Sequence, residues 1–489
     1  MLILRLAREL TQMLNHNTAL APLSLDRPAP IAPAAVRDLQ QRLRGRLLRP
    51  GDDEYDDARK IWNGMIDRHP ALIARCAAPE DVVAAVNFAR DYELPLAVRG
   101  GGHNVAGLAV CDGGLVADLS GMKGIQVDPA GQTGRAEPGL VWGEFDRATQ
   151  TWGLALPGGI QSTTGIAGFT LGGGFGYLSR QHGLSSDNLL SARVVTADGR
   201  QVTASPIENP DLFWGLRGGG GNFGVVTSFE FRLHPLGPVL GGMLLYPLAR
   251  APEILRYYRD FVAQIPDELF TILNFMTAPA APHLPERIHG AAMLAILVCW
   301  SGPLDAGEHV LRPLRDFGPP EVDLVGPRPY TVIQTMLDAA NPPGKQNYWK
   351  AAYLSGLSDT AIETMVDHVA RKPSALSKVL VSYLRGAISR LPSGESAYIH
   401  RQSPFLLNIN AMWLDPKDTD EQIGWARDFW SAMQPFSTGG VYVNFLSNEG
   451  EDRVRAAYDA DTYDRLVALK NKYDPANLFR LNQNIKPSV

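Results

Sequence analysis

Short apolar runs open the organised part of the chain and alternate between strand and helix patterns. Ala71–Cys76 is an apolar run of strand length, and Pro79 with two acidic residues after it marks the start of a helix that continues to Tyr92. Leu96–Val98 is a second strand, and it leads directly into a glycine loop. This order of strand, helix, strand and glycine loop predicts an α/β unit.

Strand patterns then dominate as far as residue 235. Val225–Leu233 alternates apolar and polar positions through most of its length, as a strand with one buried face does. A hairpin is predicted where Asp198 and Gly199 separate two short strands, Ala192–Ala197 and Gln201–Ala204. Leu115–Leu119 is a further short strand.

Longer elements follow Pro238, among them helices predicted over Ala361–Val369 and Asp418–Met433. The tail has an alternating run, Val441–Phe445, which predicts a strand, and a helix over Asp461–Lys472. We therefore divide the chain into a lead-in (1–40), a first domain (41–236), a central domain (237–435) and a C-terminal segment (436–489). The first residues, MLILRLARELTQMLN, predict a short amphipathic helix rather than a signal peptide.

Composition excludes several classes of protein. Hydrophobic residues make up 45% of the 489 and charged residues 20%, as in folded globular proteins. A net charge of −5 without a basic block argues against a nucleic-acid partner, and no apolar stretch is long enough to span a membrane. The three cysteines and ten histidines have no metal-binding spacing, so we expect no metal site and a cytoplasmic protein.

Glycine is concentrated in one region, since 29 of the 48 glycines lie between Gly100 and Gly224. They form three clusters, Gly100–His103, Gly158–Gly176 and Gly215–Gly224. Glycine lets the backbone approach a ligand closely and point N–H groups at anionic oxygens, as a pyrophosphate requires. Tight turns are the alternative, but three clusters favour a large nucleotide cofactor. A Rossmann site is rejected, because the Gly219–Gly224 match precedes a strand pattern instead of a helix.

His103 is the leading candidate for chemistry, because it follows three glycines in the loop that leaves a strand. A lone histidine is usually a structural side chain. An imidazole in a glycine-walled loop lies beside whatever the loop binds, and its neutral nitrogen is a nucleophile that could be joined to a cofactor.

Three stretches of this sequence resemble a known family: Arg99–Asn104, Gly165–Gly176 with the following residues to Asn188, and Trp214–Gly224. Together they look like the FAD-linked oxidases of the vanillyl-alcohol-oxidase (PCMH-type) superfamily, and the berberine-bridge-enzyme-like branch fits best. The ending from Tyr473 to Ile485 is also similar. The resemblance covers roughly residue 40 to the end, and the central domain matches least.

The resemblance implies an α+β fold, with a PCMH-type FAD-binding domain of two α/β subdomains and a substrate domain whose antiparallel sheet covers the flavin. It implies that His103 forms an 8α-histidyl bond to FAD. It also places Arg99, Gly100, Gly101, Gly102 and Asn104 at the pyrophosphate of the cofactor. It places Gly158, Thr163, Gly165, Gly168, Gly174 and Gly176 along the flavin, Val226 on the adenosine side, and Asn482 or Asn484 at the ring.

Two positions depart from the family pattern. Gln161 stands where many relatives have a cysteine that forms a second flavin bond, so we expect a single tether. Phe445 stands where relatives often have a tyrosine near the substrate, which leaves the catalytic base open. The candidates for the catalytic site are Tyr442 and Asn444, together with Tyr353, Tyr398 and His400 as possible sources of the base, although ordinary packing is an alternative for each of these last three. A base is unnecessary if the substrate is an amine that is already neutral at the site.

The resemblance implies an enzyme that passes a hydride from an alcohol or amine C–H group of a small molecule to flavin, with dioxygen as the acceptor. Its partners would be the substrate and dioxygen, and the chain could form a homodimer. A dehydrogenase with another acceptor is the alternative within enzymes. A flavin-carrying protein without catalysis is the alternative outside them.

Overall fold

The computed structural model of the chain describes residues 31–488. The amphipathic helix predicted at the N-terminus lies outside these residues. The first sheet has four strands in the order β1-β2-β4-β3, with β2, β4 and β3 parallel and β1 antiparallel to β2. Its elements, in chain order, are α1 (Pro33–Arg42), β1 (Arg46–Leu48), α2 (Tyr55–Ala58), β2 (Leu72–Arg75), α3 (Pro79–Asp91), β3 (Leu96–Arg99) and β4 (Leu115–Asp118).

The predicted strand–helix–strand unit is confirmed, and α3 begins at Pro79 as expected. The Asp81 carboxylate accepts hydrogen bonds from the backbone N–H groups of Arg44, Gly45 and Ala77, which joins the start of α3 to the sheet. A helix that the sequence did not predict, α1, lies at the end of the lead-in segment. Pro33 is the first residue of α1, a position that suits its fixed φ, and α1 buries Leu39 in the same core as α3.

The second sheet has five antiparallel strands in the order β5-β6-β10-β8-β9, beside a short β7–β11 pair. The predicted hairpin (β8 with β9) and the alternating strand (β10) are both confirmed. Its elements are β5 (Ile125–Asp128), β6 (Thr133–Ala136), α4 (Trp142–Gln150), β7 (Leu154–Ala155), α5 (Ile166–Leu171), α6 (Ser179–His182), β8 (Leu189–Val195), β9 (Gln201–Ala204), α7 (Pro210–Gly215), β10 (Val225–Arg232) and β11 (His234–Pro235).

The third sheet is antiparallel and has eight strands, in the order β15-β12-β14-β13-β18-β19-β17 with β16 also paired to β12. Its elements are β12 (Val239–Pro247), α8 (Ala251–Val262), β13 (Leu269–Thr277), β14 (Ala292–Trp300), α9 (Leu304–Phe317), β15 (Val322–Asp323), β16 (Gly326–Arg328), α10 (Tyr330–Gln334), β17 (Gln346–Leu354), α11 (Asp359–Ala370), β18 (Lys378–Tyr383), β19 (Phe405–Trp413) and α12 (Thr419–Met433).

The two faces of this large sheet have different neighbours. Leu407 and Ile409 of β19 point into a core that contains Met365 of α11 and Phe429 of α12. Leu406, the residue before Leu407, lies in a second core with residues of the first half of the chain. One face is therefore closed by helices, and the other faces the glycine-rich region. The α+β fold class is confirmed, and the helices predicted over 361–369 and 418–433 correspond to α11 and α12.

The C-terminal segment returns to the first half of the chain through α13 (Glu451–Arg455) and α14 (Ala460–Tyr473). Lys470 of α14 is fully buried and pairs with Asp474 at 2.7 Å. Its Nζ also donates to the carbonyl oxygens of Asn222 and Phe479, both at 2.9 Å. This buried ammonium therefore joins the third glycine cluster to residues near the end of the chain.

The strand predicted over Val441–Phe445 is wrong. Val443–Phe445 is a turn of 3-10 helix, and the Phe445 N–H donates to the carbonyl oxygen of Tyr442 at 2.9 Å. The preceding residues pair with the end of β17 only through the isolated Leu354–Ser437 bridge and nearby hydrogen bonds. The chain then turns away from the sheet, so the alternation of apolar and polar residues here does not follow a strand.

Two half-buried histidines form a stack that links α6 to β11. The rings of His182 and His234 lie 3.9 Å apart, and His234 Nε2 is 2.6 Å from Asn188 Oδ1. Burial lowers the pKa of each imidazole to about 4, and the neighbouring His234 ring adds to the shift at His182. An unfolded histidine has a pKa near 6.5, so the unfolded chain binds protons first as the pH falls. The neutral stack therefore makes its full contribution to the free energy of unfolding above about pH 6.5. This contribution is lost as the pH falls towards 4.

We expect the melting temperature to fall between pH 6.5 and pH 4, and His182→Phe to reduce the slope of that fall. Phenylalanine keeps a flat ring on His234 but cannot take up a proton. Differential scanning calorimetry across this range measures the effect, and His309→Phe, at an exposed site, is the matched control. His103 and His400 are also held near a pKa of 4, so part of the slope should remain. Equal slopes in His182→Phe and the wild type would contradict the prediction.

Candidate active site

The loop Gly100–Asn104 begins where β3 ends, and Arg99 fixes that end. The Arg99 guanidinium donates to both carboxylate oxygens of buried Asp118, at 3.0 and 2.5 Å, and to the carbonyl oxygen of Ala58. All five residues of the loop line a deep cleft, but the Arg99 side chain does not reach it. The expectation that Arg99 holds a pyrophosphate is therefore not supported by its position. Its charge is paired with Asp118, and it supports the loop.

Two glycine loops meet backbone to backbone at the cleft. A Cβ atom on Gly101 would lie 2.6 Å from Gly165 Cα, and a Cβ on Gly165 would lie 2.5 Å from Gly101 N. Neither position can carry a side chain without moving the backbone of the other loop. The close approach explains why both clusters are rich in glycine, and it fixes the position of His103 relative to α5.

The remaining glycines of the second cluster fall into two groups. Gly165 and Gly168 line the cleft. Gly158, Gly174 and Gly176 do not line it, and a Cβ atom at each of them would collide with neighbouring protein atoms. These three are required by packing of the loops. Gly159, which belongs to the same predicted cluster, lines the cleft together with Ile160.

His103 lies in the wall of the cleft between two supporting groups. Its ring stacks on Trp62 with centroids 4.5 Å apart and an angle of 19°, and its Nε2 is 3.3 Å from Thr163 Oγ1. Burial lowers the pKa of His103 to about 4, so the ring is neutral at physiological pH. Trp62 in turn donates its indole N–H to the carbonyl oxygen of Asn341 at 3.1 Å. The result is a neutral imidazole in a fixed orientation, with a nitrogen lone pair for a nucleophilic role.

The cleft has two connected parts. The first part extends from His103 to β18 and β19 of the large sheet, and the second extends from Gly100 to the third glycine cluster and the C-terminal segment. Residues that line both parts show that the cleft is continuous: Val98, Gly100, Asn104, Ala109, Gly168 and Asn444. Predicted contacts Val226 and Asn482 line the second part. Asn484 lines neither part, although its Oδ1 is buried without a hydrogen bond in the described residues.

These residues fit an extended dinucleotide such as FAD. A Cβ atom on Gly168 or Gly221 would meet no protein atom within 4 Å, so open room lies beside the backbone at both parts of the cleft. The buried Oδ1 of Asn482 also lacks a hydrogen-bond partner in the described chain. A bound cofactor would fill the space beside these glycines, and it would give the unpaired amide oxygen a hydrogen-bond partner.

The tyrosines considered as catalytic bases lie behind the wall of the cleft. Tyr442 accepts hydrogen bonds from the Gly174 N–H at 3.0 Å and from Asn444 Nδ2 at 2.8 Å, while Tyr353 and Tyr398 join their hydroxyl groups at 2.8 Å. None of the three lines the cleft. Burial raises the pKa of Tyr398 to about 12 and that of Tyr442 further, so their hydroxyl groups remain protonated at neutral pH.

Of that candidate group, Asn444 lines both parts of the cleft, and Phe445 lines the first part in place of a tyrosine. His400 lies away from it, since its Nε2 is 3.1 Å from the Ala457 carbonyl oxygen and its ring packs on Tyr353. The structure therefore does not bring Tyr353, Tyr398 or His400 to a position from which they could take a proton from a molecule in the cleft.

Sequence reasoning missed the opposite wall of the cleft. It consists of Trp349 from β17, Leu380 and Ser382 from β18, and Asn408 and Asn410 from β19. A signal was present, because Phe405–Trp413 is almost wholly apolar and its asparagines are two residues apart. Polar residues at strand spacing in a buried strand indicate one face turned to a ligand or to water.

Gln161 lies in the first part of the cleft, at the position where a second flavin bond was considered. Cys111 is buried in a small apolar cluster and does not line the cleft, and burial raises the pKa of its thiol to about 11. His103 is thus the one covalent attachment point that the lining of the cleft offers within residues 31–488. In the same residues, no group of three metal-ligating side chains occurs, and no helix is long and apolar enough to cross a bilayer.

Comparisons with known proteins agree with this geometry. Residues 70–205 match the family model described as FAD binding domain, and residues 441–486 match the one described as berberine and berberine like. An FAD-linked oxidoreductase of Dictyostelium discoideum is 32% identical, over 92% of this chain and 97% of that protein. The (R)-6-hydroxynicotine oxidase of Paenarthrobacter nicotinovorans is 31% identical, over 91% of this chain and 97% of the relative.

Solved structures give the same result for the fold. The crystal structure of 6-hydroxy-D-nicotine oxidase from Arthrobacter nicotinovorans superposes with a TM-score of 0.82 at 29% identity, over 91% of this chain and 98% of the other. A chitooligosaccharide oxidase superposes with a TM-score of 0.80 at 24% identity, which supports the fold alone. The resemblance drawn from the glycine stretches is confirmed by both kinds of comparison.

Proposed function

Since the chain belongs to the berberine-bridge-enzyme-like family of FAD-linked oxidoreductases, we propose that it is an oxidase that takes a hydride from an alcohol or amine carbon of a small molecule. FAD, the cofactor of this family, accepts a hydride at its ring and returns two electrons to dioxygen as hydrogen peroxide. The observation that carries the proposal is His103, a neutral imidazole held in the wall of the cleft.

We infer that His103 tethers the cofactor through its ring. Three features of the site support this role. Trp62 stacks on the imidazole and fixes its plane, Thr163 holds one ring nitrogen, and burial keeps the ring free of a proton. A nucleophile that is oriented and neutral before the cofactor enters needs no rearrangement to react.

The two parts of the cleft suggest which residues would hold the nucleotide, the flavin and the substrate. Gly100–Asn104 and the third glycine cluster would hold the phosphates and the nucleotide, with Val226 and Asn482 at the far part. Gly168, Phe169 and Phe175 would lie against the flavin, and the β18–β19 wall would face the substrate. Phe175 and Phe445 pack edge to face with centroids 5.9 Å apart, an apolar contact that helps to exclude water from the reacting carbon.

Thr164 lines the cleft, at a position that the family pattern puts near the approach of oxygen. One residue does not decide between an oxidase and a dehydrogenase, so the electron acceptor is the quantity to test. The test is turnover in air-saturated buffer with a panel of sugars, alcohols and amines, measured as oxygen uptake and hydrogen peroxide release. We expect one molecule of peroxide for each molecule of oxygen consumed. Turnover that needs an artificial electron acceptor would identify a dehydrogenase and contradict the proposal.

A flavin-binding protein without catalysis is the second candidate, and one observation favours it. Phe445 cannot take a proton, and the three tyrosines lie behind the wall of the cleft. Anaerobic mixing with the same panel separates the two, because a substrate reduces the flavin and bleaches its absorbance near 450 nm. Bleaching by any compound excludes the silent protein. A flavin that stays oxidised with every compound would support it.

A further inference from the structure

The face of the large sheet that is turned to the cleft presents polar side chains at regular spacing. Asn408 and Asn410 are two residues apart on β19, so their side chains leave the sheet on the same side. Asn408 lies directly opposite Leu380 of β18, and Asn410 lies opposite Lys378. Gln161, from the loop between β7 and α5, lines the same part of the cleft. We call Gln161, Asn408 and Asn410 the carboxamide cluster.

None of the three amides has a hydrogen-bond partner in the described chain. Asn408 is 2%, Asn410 3% and Gln161 9% exposed, and the side-chain oxygen of each is buried and unpaired. A buried amide without a partner is costly, and three in one cleft are well above what a packed core tolerates. All three line the first part of the cleft, so a molecule bound there would satisfy them.

The lining is electrically neutral. His103 is the one ionisable side chain among the residues that line the first part of the cleft, and burial holds its pKa at about 4. No carboxylate in residues 31–488 lines either part. An ammonium ion in this place would lose its hydration without gaining an opposite charge.

A buried lysine makes the surroundings of Asn410 still less suitable for a cation. Lys378 Nζ donates to the carbonyl oxygen of Ala340 at 3.1 Å and to Asn341 Oδ1, and it forms no ion pair in the described residues. Burial and the nearby Lys372 lower its pKa to about 7. Lys378 differs in this respect from two other buried lysines, because Lys350 pairs with Glu449 and Lys470 with Asp474.

We propose that the carboxamide cluster binds an uncharged alcohol through its hydroxyl groups and selects it against the corresponding ammonium ion. An amide group offers a donor and an acceptor together, as a hydroxyl group does, and each can satisfy the other. This inference rests on the proposed function, because it names the substrate class of the same site. In the overall reaction the alcohol loses its C–H hydride and its O–H proton, a carbonyl group forms, and both hydrogens end in peroxide as dioxygen is reduced.

The first test compares alcohols with amines of the same shape. Cyclohexanol with cyclohexylamine, and 1-hexanol with hexylamine, are added anaerobically to the holoenzyme at pH 7. Two quantities are recorded, the ligand-induced change in the flavin spectrum (binding) and flavin bleaching (reaction). An aliphatic amine with a pKa near that of lysine is almost wholly charged at this pH. We expect at least one alcohol to bind about a hundredfold more tightly than its amine. Equal binding, tighter binding of the amine, or no spectral change with any alcohol would overturn the inference.

The two readouts separate this inference from the proposed function. Amines that bind and bleach the flavin better than alcohols would refute the neutral substrate and leave the oxidoreductase intact. Spectral changes that favour alcohols without bleaching by any compound would support the binding site and refute the proposed oxidase.

The second test changes the cluster itself. Asn408→Leu and Asn410→Leu keep a similar shape and remove the amide, and each should raise the KM for the alcohol about tenfold or more. Asn448→Leu, at an exposed asparagine, is the matched control and should leave KM unchanged. Asn408→Asp adds a carboxylate opposite Leu380 and should shift the alcohol-to-amine preference about tenfold towards the amine. Flavin content and melting temperature confirm that each variant is folded. Unchanged preference in a folded Asn408→Asp variant would count against the cluster.

Discussion

Protein with the substitution His103→Ala is expected to lose its flavin when it is denatured, whereas the wild-type chain keeps it. The proposed tether depends on a single nucleophile, because Gln161 occupies the position of a second one and Cys111 lies outside the cleft. Wild-type protein on a denaturing gel should therefore show a yellow fluorescent band at the mass of the chain. In His103→Ala this band should be absent, with all FAD recovered in the acid-soluble fraction.

The glycine loops and the second part of the cleft are unchanged in this variant, so it should still bind FAD reversibly. We expect dialysis to remove the cofactor from His103→Ala but not from the wild type. His309→Ala, at an exposed site, is the control for the loss of a histidine, and it should keep the fluorescent band. Free FAD released from denatured wild-type protein would refute the tether and would leave the FAD site itself standing.

Alanine at two neighbouring glycines should have opposite effects on the fold and on the cofactor. Gly165→Ala puts a methyl group 2.5 Å from Gly101 N, where backbone lies on both sides. We expect it to cost about 3 kcal/mol of unfolding free energy, through the separation of the two loops, and to abolish FAD binding. Gly168→Ala lies within α5 and meets no protein atom within 4 Å. It should stabilise the apoprotein by up to about 1 kcal/mol and still weaken FAD binding.

Thermal unfolding of the apoprotein and the ratio of flavin to protein after purification measure the two effects separately. Gly424→Ala is the matched control, because Gly424 lies within α12 and also has open space at its Cβ position. It should raise stability slightly and leave FAD binding unchanged. A Gly168→Ala variant that binds FAD as tightly as the wild type would mean that the cofactor does not occupy the room beside α5.

The sequence was sufficient to predict the parts of the site that depend on the backbone. The glycines around His103 are local signals, since each loop must pass close to another chain segment or to a ligand, and Gly101 with Gly165 shows this contact. The start of α3 at Pro79 was predictable for a similar reason. These features depend on residues that are adjacent in the sequence, or on glycine, which is required where two backbone segments come close together.

Features that depend on the orientation of an element could not be predicted in the same way. The spacing of Asn408 and Asn410 shows that they share a face, but only the packing of β19 between β17 and β18 shows that this face meets the cleft. Val441–Phe445 was interpreted as a strand because its apolar and polar residues alternate. The chain instead forms a turn at Val443–Phe445, and the Tyr442 hydroxyl group accepts a hydrogen bond from the Gly174 N–H. The ion pair of Arg99 could not be predicted for the same reason, because its partner Asp118 lies in a different strand.

The second part of the cleft is closed by residues of the C-terminal segment, far along the chain from the glycine loops. Phe479, Leu481, Asn482 and Gln483 stand beside the third glycine cluster, and Lys470 joins Phe479 to Asn222. A ribosome-bound chain that already contains every glycine loop still lacks one wall of the cofactor site. The second part of the cleft can therefore hold a cofactor firmly only after synthesis has passed these positions. We expect chains interrupted before residue 479 to bind FAD weakly, however well their first half is folded.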